Sequence, residues 1–219
     1  SAIGVGLMQG DISAYAIGTL TYMDGDRILA FGHPFTDVGQ TKYLLTNAAI
    51  FQTVRGLQRN MKVGAAGSVV GTISEDRPAG IGGTIGVFPR LFGVRIRVTD
   101  ADAGSSRRFR FQVVTNKEIA PALVMRGAQS AIERTLNRSG EGTAQVRLLL
   151  RGRGLPHTLE HRSRNFPSRS ATKLVRAGRP GTATRSTLYS STYRPWVTSS
   201  ASSTIVIRSP CDTRITPGM

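Results

Sequence analysis

Apolar and polar positions alternate in short runs over the first half of the chain, and glycine-rich turns separate the runs. The runs AIGVGLMQ (2–9), SAYAIGTLTYM (13–23), RILAFG (27–32) and KYLLTNAAIFQTV (42–54) are predicted strands. So are SVVGTIS (68–74), GGTIGVF (82–88), GVRIRVTD (93–100) and RFRFQVVT (108–115). The Asp-Gly pair in MDGD (23–26) sits between two such runs, a strong hairpin signal. Two runs alternate basic and apolar residues. Arg95 and Arg97 fall on one strand face with Val94, Ile96 and Val98 on the other, and Phe109 and Phe111 fall opposite Arg108 and Arg110. Eight short strands at this spacing predict a mainly β chain, a barrel or a sandwich.

One segment changes period. EIAPALVMRGAQSAIERTLNRSG (118–140) is a predicted helix. Pro121 suits its first turn, Glu118 lies near the positive N-terminal end, and Arg134 and Arg138 lie near the negative C-terminal end. Ile119, Ala122, Leu123, Ala128, Ala131, Ile132 and Leu136 form an imperfect apolar stripe, and Gly140 is a stop. TAQVRLLLRG (143–152) reads as a return strand.

Composition then divides the chain into a β domain, 1–155, and a basic tail, 156–219. The formal charge is +16, and residues 161–219 hold ten of the 29 basic residues against one acid, Asp212. The same 59 residues hold 20 Ser and Thr, with STIVIR as their only strand-like run. Such a segment buries little apolar surface and is expected to be disordered. It reads either as a basic tail for an anionic partner or as an out-of-frame end. The abrupt switch after a coherent domain favours the second. The single cysteine, Cys211, excludes an internal disulfide and a cysteine-based zinc site; three histidines make a histidine cluster unexpected, and no cofactor is expected. No apolar run reaches the roughly 20 residues a membrane span needs. The chain opens SAIGVG, with neither Met nor a charged leader, and reads as an excerpt of a longer protein.

The stretch AIGTLTY-DGDRILAFGHPFTD resembles the core of the SpoIVB-type peptidase family, the S55 serine peptidases. In that family a GIGTLTF strand is followed by a polar turn and a GALGHVISD strand. The counterparts are Ile17 to Tyr22 and Leu29 to Asp37. GTISEDRPAGIGGTIG (71–86) resembles the family's G-x-I-x-x-(D/N)-x-x-x-G-I-x-G-x-(L/I) segment. Residues 1–155 are most similar to bacterial proteins described only as carrying an S55 domain. The resemblance implies a trypsin-like β-barrel architecture, acyl transfer to a serine, a protein or peptide substrate, and an extracytoplasmic location in the periplasm or cell envelope.

It also implies site residues. The Gly-His histidine of the family is the general base, which gives that role to His33; a strand-end turn with a packed histidine is the plainer reading of the same residues. Asp37 is the candidate orienting acid, or a cap of its own turn. The family's nucleophile lies in a G-x-S-G-S-P string that this chain lacks. The nearest match is NRSGEG (137–142), which makes Ser139 the candidate nucleophile, while a helix C-cap is the plainer reading of the same residues. Whether the chain is an active serine endopeptidase is therefore open. The alternative is a non-catalytic β domain that binds protein or peptide on the same scaffold.

The remaining motifs carry less. GIGG (80–83) lacks phosphate-loop spacing and reads as tight turns and close strand packing. Asp76-Arg77 reads as a turn with a local ion pair. His157 and His161 stand four apart, but Pro156 and the loss of pattern argue against a metal site. Trp196 lies in the tail. Because Phe109 and Phe111 are expected in the core, the arginines beside them read as a solvated face, with no specific nucleic-acid partner expected.

Overall fold

The computed structural model describes residues 1–55, 61–137, 142–151, 158–168 and 201–208. They are mainly β, with eleven strands and one helix among the described residues. The chain divides into two compact units: residues 1–92 with 112–120, and residues 93–111 with 121–219.

The first unit contains β1 (Ala2–Gly10), β2 (Ala14–Asp24), β3 (Arg27–Ala30), β4 (Gly39–Val54), β5 (Met61–Arg77) and β6 (Gly80–Ile85). All its pairings are antiparallel. They run β1–β2, β2–β3, β3–β6, β6–β5 and β5–β4. β4 then pairs back on β1, from Ile3↔Asn47 to Gly6↔Leu44. The expected hairpin forms at the Asp-Gly pair, with Asp24 facing Arg27 across Gly25 and Asp26. Alternation directs the core: in β3, Ile28 and Ala30 are buried while Arg27 and Leu29 are exposed. Val5, Tyr43, Leu45, Ile73 and Ile81 complete it from the other strands, all 1% exposed or less.

β4 and β5 are longer than their apolar patterns predict. The expected strand at 68–74 spans 61–77, because Lys62 to Gly67 are drawn into a ladder by the second half of β4 rather than by any periodicity of their own. Past Asn47, β4 has no strand partner except β5 among the described residues, so residues 48–54 and 61–66 form a two-stranded ribbon.

The second unit contains β7 (Leu91–Asp100), β8 (Ser105–Val114), α1 (Ala120–Leu136), β9 (Gly142–Leu150), β10 (Leu159–Ser168) and β11 (Ala201–Arg208), with strand order β10-β9-β11-β7-β8. β11 lies parallel to β7 and antiparallel to β9. Val94, Ile96 and Val98 are buried and Arg95 and Arg97 exposed, as the alternation predicts. Phe109 and Phe111 are buried too, between exposed Arg108 and Arg110.

The helix begins two residues later than the pattern suggests. Asn116 sets its start: its side-chain oxygen accepts from the N–H groups of Glu118 and Ile119, so Glu118 belongs to the capping turn and not to the first helical turn. Of the expected stripe only Ala131 and Ile132 are buried, and Gly127 joins them because the Phe111 ring lies where a Cβ would stand, 2.3 Å away. A small residue there, not a wider apolar face, lets the helix approach β8. Residues 156–219, expected to be disordered or out of frame, contribute β10 and β11; β11 coincides with the STIVIR run. Trp196, Cys211, Arg138 and Gly140 lie outside the described residues.

Candidate functional site

His33 sits in the loop between β3 and β4, residues 31–38, within the first unit. The loop leaves β3 through two consecutive residues in the left-handed region, Phe31 (φ 73°) and Gly32 (φ 71°). For a residue as bulky as phenylalanine that conformation is costly, on the order of 1–3 kcal/mol, and it persists only where neighbours hold it. Here the neighbours are aromatic and glycyl. The Phe31 ring lies over Gly18, where a Cβ would come within 2.1 Å of it. Its centroid is 5.4 Å from the His33 ring and 6.1 Å, edge-on, from Phe35. Phe35 in turn meets the buried Tyr43 edge-on at 6.0 Å.

Underneath, one carboxylate holds the loop. Asp76, on β5 and fully buried, accepts from the backbone N–H of Phe35 (2.8 Å), Thr36 (2.7 Å) and Asp37 (3.0 Å) and from the Thr36 hydroxyl (2.7 Å). Since the Thr36 hydroxyl donates to Asp76, the Tyr43 hydroxyl donates to Thr36 at 2.8 Å, which makes a relay of three side chains. Burial alone pushes the Asp76 carboxyl up. The donors at Phe35, Thr36 and Asp37 outweigh it and hold the carboxyl below its ordinary value. Asp76 is therefore no part of a surface turn. Arg77 pairs with Glu75 instead, at 2.9 Å on the exposed face.

The glycine block closes the loop from the other side. Gly80 (φ 146°) stands where a Cβ would lie 2.9 Å from the Ala30 carbonyl oxygen and 3.4 Å from the Gly32 nitrogen. Ala30 pairs with Ile81 next to it. The expectation of close strand packing at GIGG thus has a specific address, the turn that carries His33.

His33 itself is exposed, and its Nδ1 lies 2.7 Å from the Pro34 carbonyl oxygen. A carbonyl only accepts, so Nδ1 carries a proton, and it is Nε2 that holds the lone pair of the neutral ring. Among the described residues Nε2 has no hydrogen-bond partner. Asp37 is on the same loop, exposed and in the left-handed region (φ 56°), but no hydrogen bond joins it to His33. Its backbone is held by Asp76. Ser139 and His157 lie outside the described residues, and His161 is on strand β10.

Asp76 is the residue that sequence reasoning missed. Its one sequence signal is its place, at the D/N position of the expected S55-like segment 71–86. Among the described residues no group of three or more His, Cys, Asp or Glu is placed to hold a metal ion, and no helix is long and apolar enough to cross a membrane. No family model matches the chain, and no curated protein or solved structure matches it either.

Proposed function

We propose that the first unit is an S55-like serine peptidase domain in which His33 is the general base. The observation that carries this reading is the state of the imidazole. Nδ1–H is committed to the Pro34 carbonyl, and Nε2 is basic, exposed and unpartnered among the described residues. A base must offer that lone pair to a hydroxyl within hydrogen-bond reach. The backbone carbonyl does for the ring what a triad acid does elsewhere: it fixes the tautomer and the orientation. The cyclic antiparallel pairing β1–β2–β3–β6–β5–β4–β1 supports a six-stranded barrel, the architecture the resemblance implies. The substrate is a protein or peptide, the nucleophile is Ser139 or a serine outside this sequence, and the setting is extracytoplasmic.

A second reading is a non-catalytic domain that binds protein or peptide on the same scaffold. It is favoured by one observation: among the described residues no serine hydroxyl bonds to His33. Labelling with a fluorophosphonate probe separates the two. Labelling of the full chain that disappears in both His33→Ala and Ser139→Ala establishes the peptidase with its nucleophile. Labelling that survives Ser139→Ala moves the nucleophile elsewhere, and absence of labelling favours the binding domain.

A further inference from the structure

The ribbon at the far end of β4 and β5 has no role in the site around His33, and its surface is unusual. Phe51 is 71% exposed, Val63 45%, Val54 44% and Ile50 36%. The register explains the first value. Ile50 pairs with Gly64 and Gln52 with Val63, so Phe51 is the extra residue of a bulge, and a bulge re-aims the side chain it carries. Across the bulge Ile50 pairs with Gly64 and Val54 with Met61, an odd step along β5, so Ile50 and Val54 stand on opposite faces of the ribbon and apolar side chains are open to water on both. A two-stranded ribbon with Ile50, Phe51, Val54 and Val63 open to water is marginal by itself, and such a display of apolar side chains marks an interaction site.

Charge selects the partner. From Ala48 to Gly67 the sequence holds Arg55, Arg59 and Lys62 and no acidic residue, and Arg55 is exposed directly after Val54. A second copy would bring like charges together. An anionic lipid surface meets both features: the headgroups attract the basic residues, and the acyl boundary takes the apolar side chains on both faces at once, which a flat protein surface does not. We propose that this ribbon, residues 48–55 with 61–66, inserts at the interface of an anionic membrane, with Phe51 as its deepest anchor. The proposal is independent of the peptidase reading.

The test uses the full chain and vesicles of phosphatidylcholine with or without phosphatidylglycerol. Because the basic end of the chain attracts anionic vesicles by itself, the readout must be local. In a Trp196→Phe background, Phe51→Trp places the sole tryptophan on the ribbon. Its emission is expected to shift to the blue on anionic vesicles and to be quenched by brominated lipid. Separately, Phe51→Ser with Val54→Ser is expected to lower partitioning at least about tenfold, the worth of one apolar side chain left in water. Three results overturn the proposal: vesicle binding with no shift in the emission of the Phe51→Trp variant, partitioning unchanged by the double substitution, or a dimer in sedimentation equilibrium that the double substitution dissolves.

Discussion

At the Gly39–Arg77 end of the β4–β5 pair, every element of the loop above is held. Asp76 takes four hydrogen bonds from residues 35–37, Tyr43 is fully buried beneath Phe35, and Gly80 closes against Ala30. At the Val54–Met61 end the same two strands run out with no other strand beside them among the described residues, and Phe51, Val54 and Val63 face water. One ladder thus joins a region ordered by polar bonds to a buried charge and a region whose side chains have nothing to order them. Substitutions at the first end should act on folding, and substitutions at the second should act on association.

The sharpest test of that contrast is Asp76→Ala, which strands three N–H groups and a hydroxyl; urea unfolding is expected to show a loss of about 3 kcal/mol. The acid dependence has a definite sign. The folded carboxyl sits below its ordinary value, so its contribution is complete above the unfolded pKa and is lost as pH falls through the folded one. Asp76→Asn is expected to remove that part of the acid transition. Gly80→Ala comes next, at about 2 kcal/mol, since its Cβ would strike the Ala30 carbonyl from a backbone with φ 146°. Thr46→Val has the opposite sign: the buried Thr46 hydroxyl has no partner among the described residues, and a methyl group in its place is expected to stabilise by about 1 kcal/mol in thermal unfolding. The smallest effect is expected at the open end, where Phe51→Ser should move the folding free energy by no more than about 0.5 kcal/mol. A loss comparable to that of Asp76→Ala would abolish the contrast.

Much of this was legible in the residues. Alternation located β1 to β9 and the faces of β7 and β8, and the Asp-Gly pair located the first hairpin, because those signals are local. What was not legible depended on partners far along the chain. Lys62 to Gly67 carry no strand pattern and become strand because residues 49–53 lie opposite. Asp76 next to Arg77 looks like an ion pair until the fold brings Phe35, Thr36 and Asp37 over it and turns Arg77 toward Glu75. The helix starts two residues inside the patterned segment because Asn116 takes the N–H groups of Glu118 and Ile119 in an Asx turn, which carries no apolar period. His33 is marked in the sequence only by the Gly-His-Pro at the end of a strand, while the bond its Nδ1 makes is to the carbonyl of the proline beside it.

The bonds at Asp76 span about forty residues, and the ladder between β1 and β4 joins Gly6 to Leu44 across a similar distance. Contacts this remote in sequence form late and make folding slow, in the millisecond-to-second range typical of β topologies. A nascent or half-folded chain therefore has its histidine but not the buried carboxylate that holds the loop carrying it. If the seat forms after the rate-limiting step, Asp76→Ala should quicken unfolding in stopped-flow measurements and leave the refolding rate almost unchanged. The loop that carries His33 would then take its final form only as folding completes.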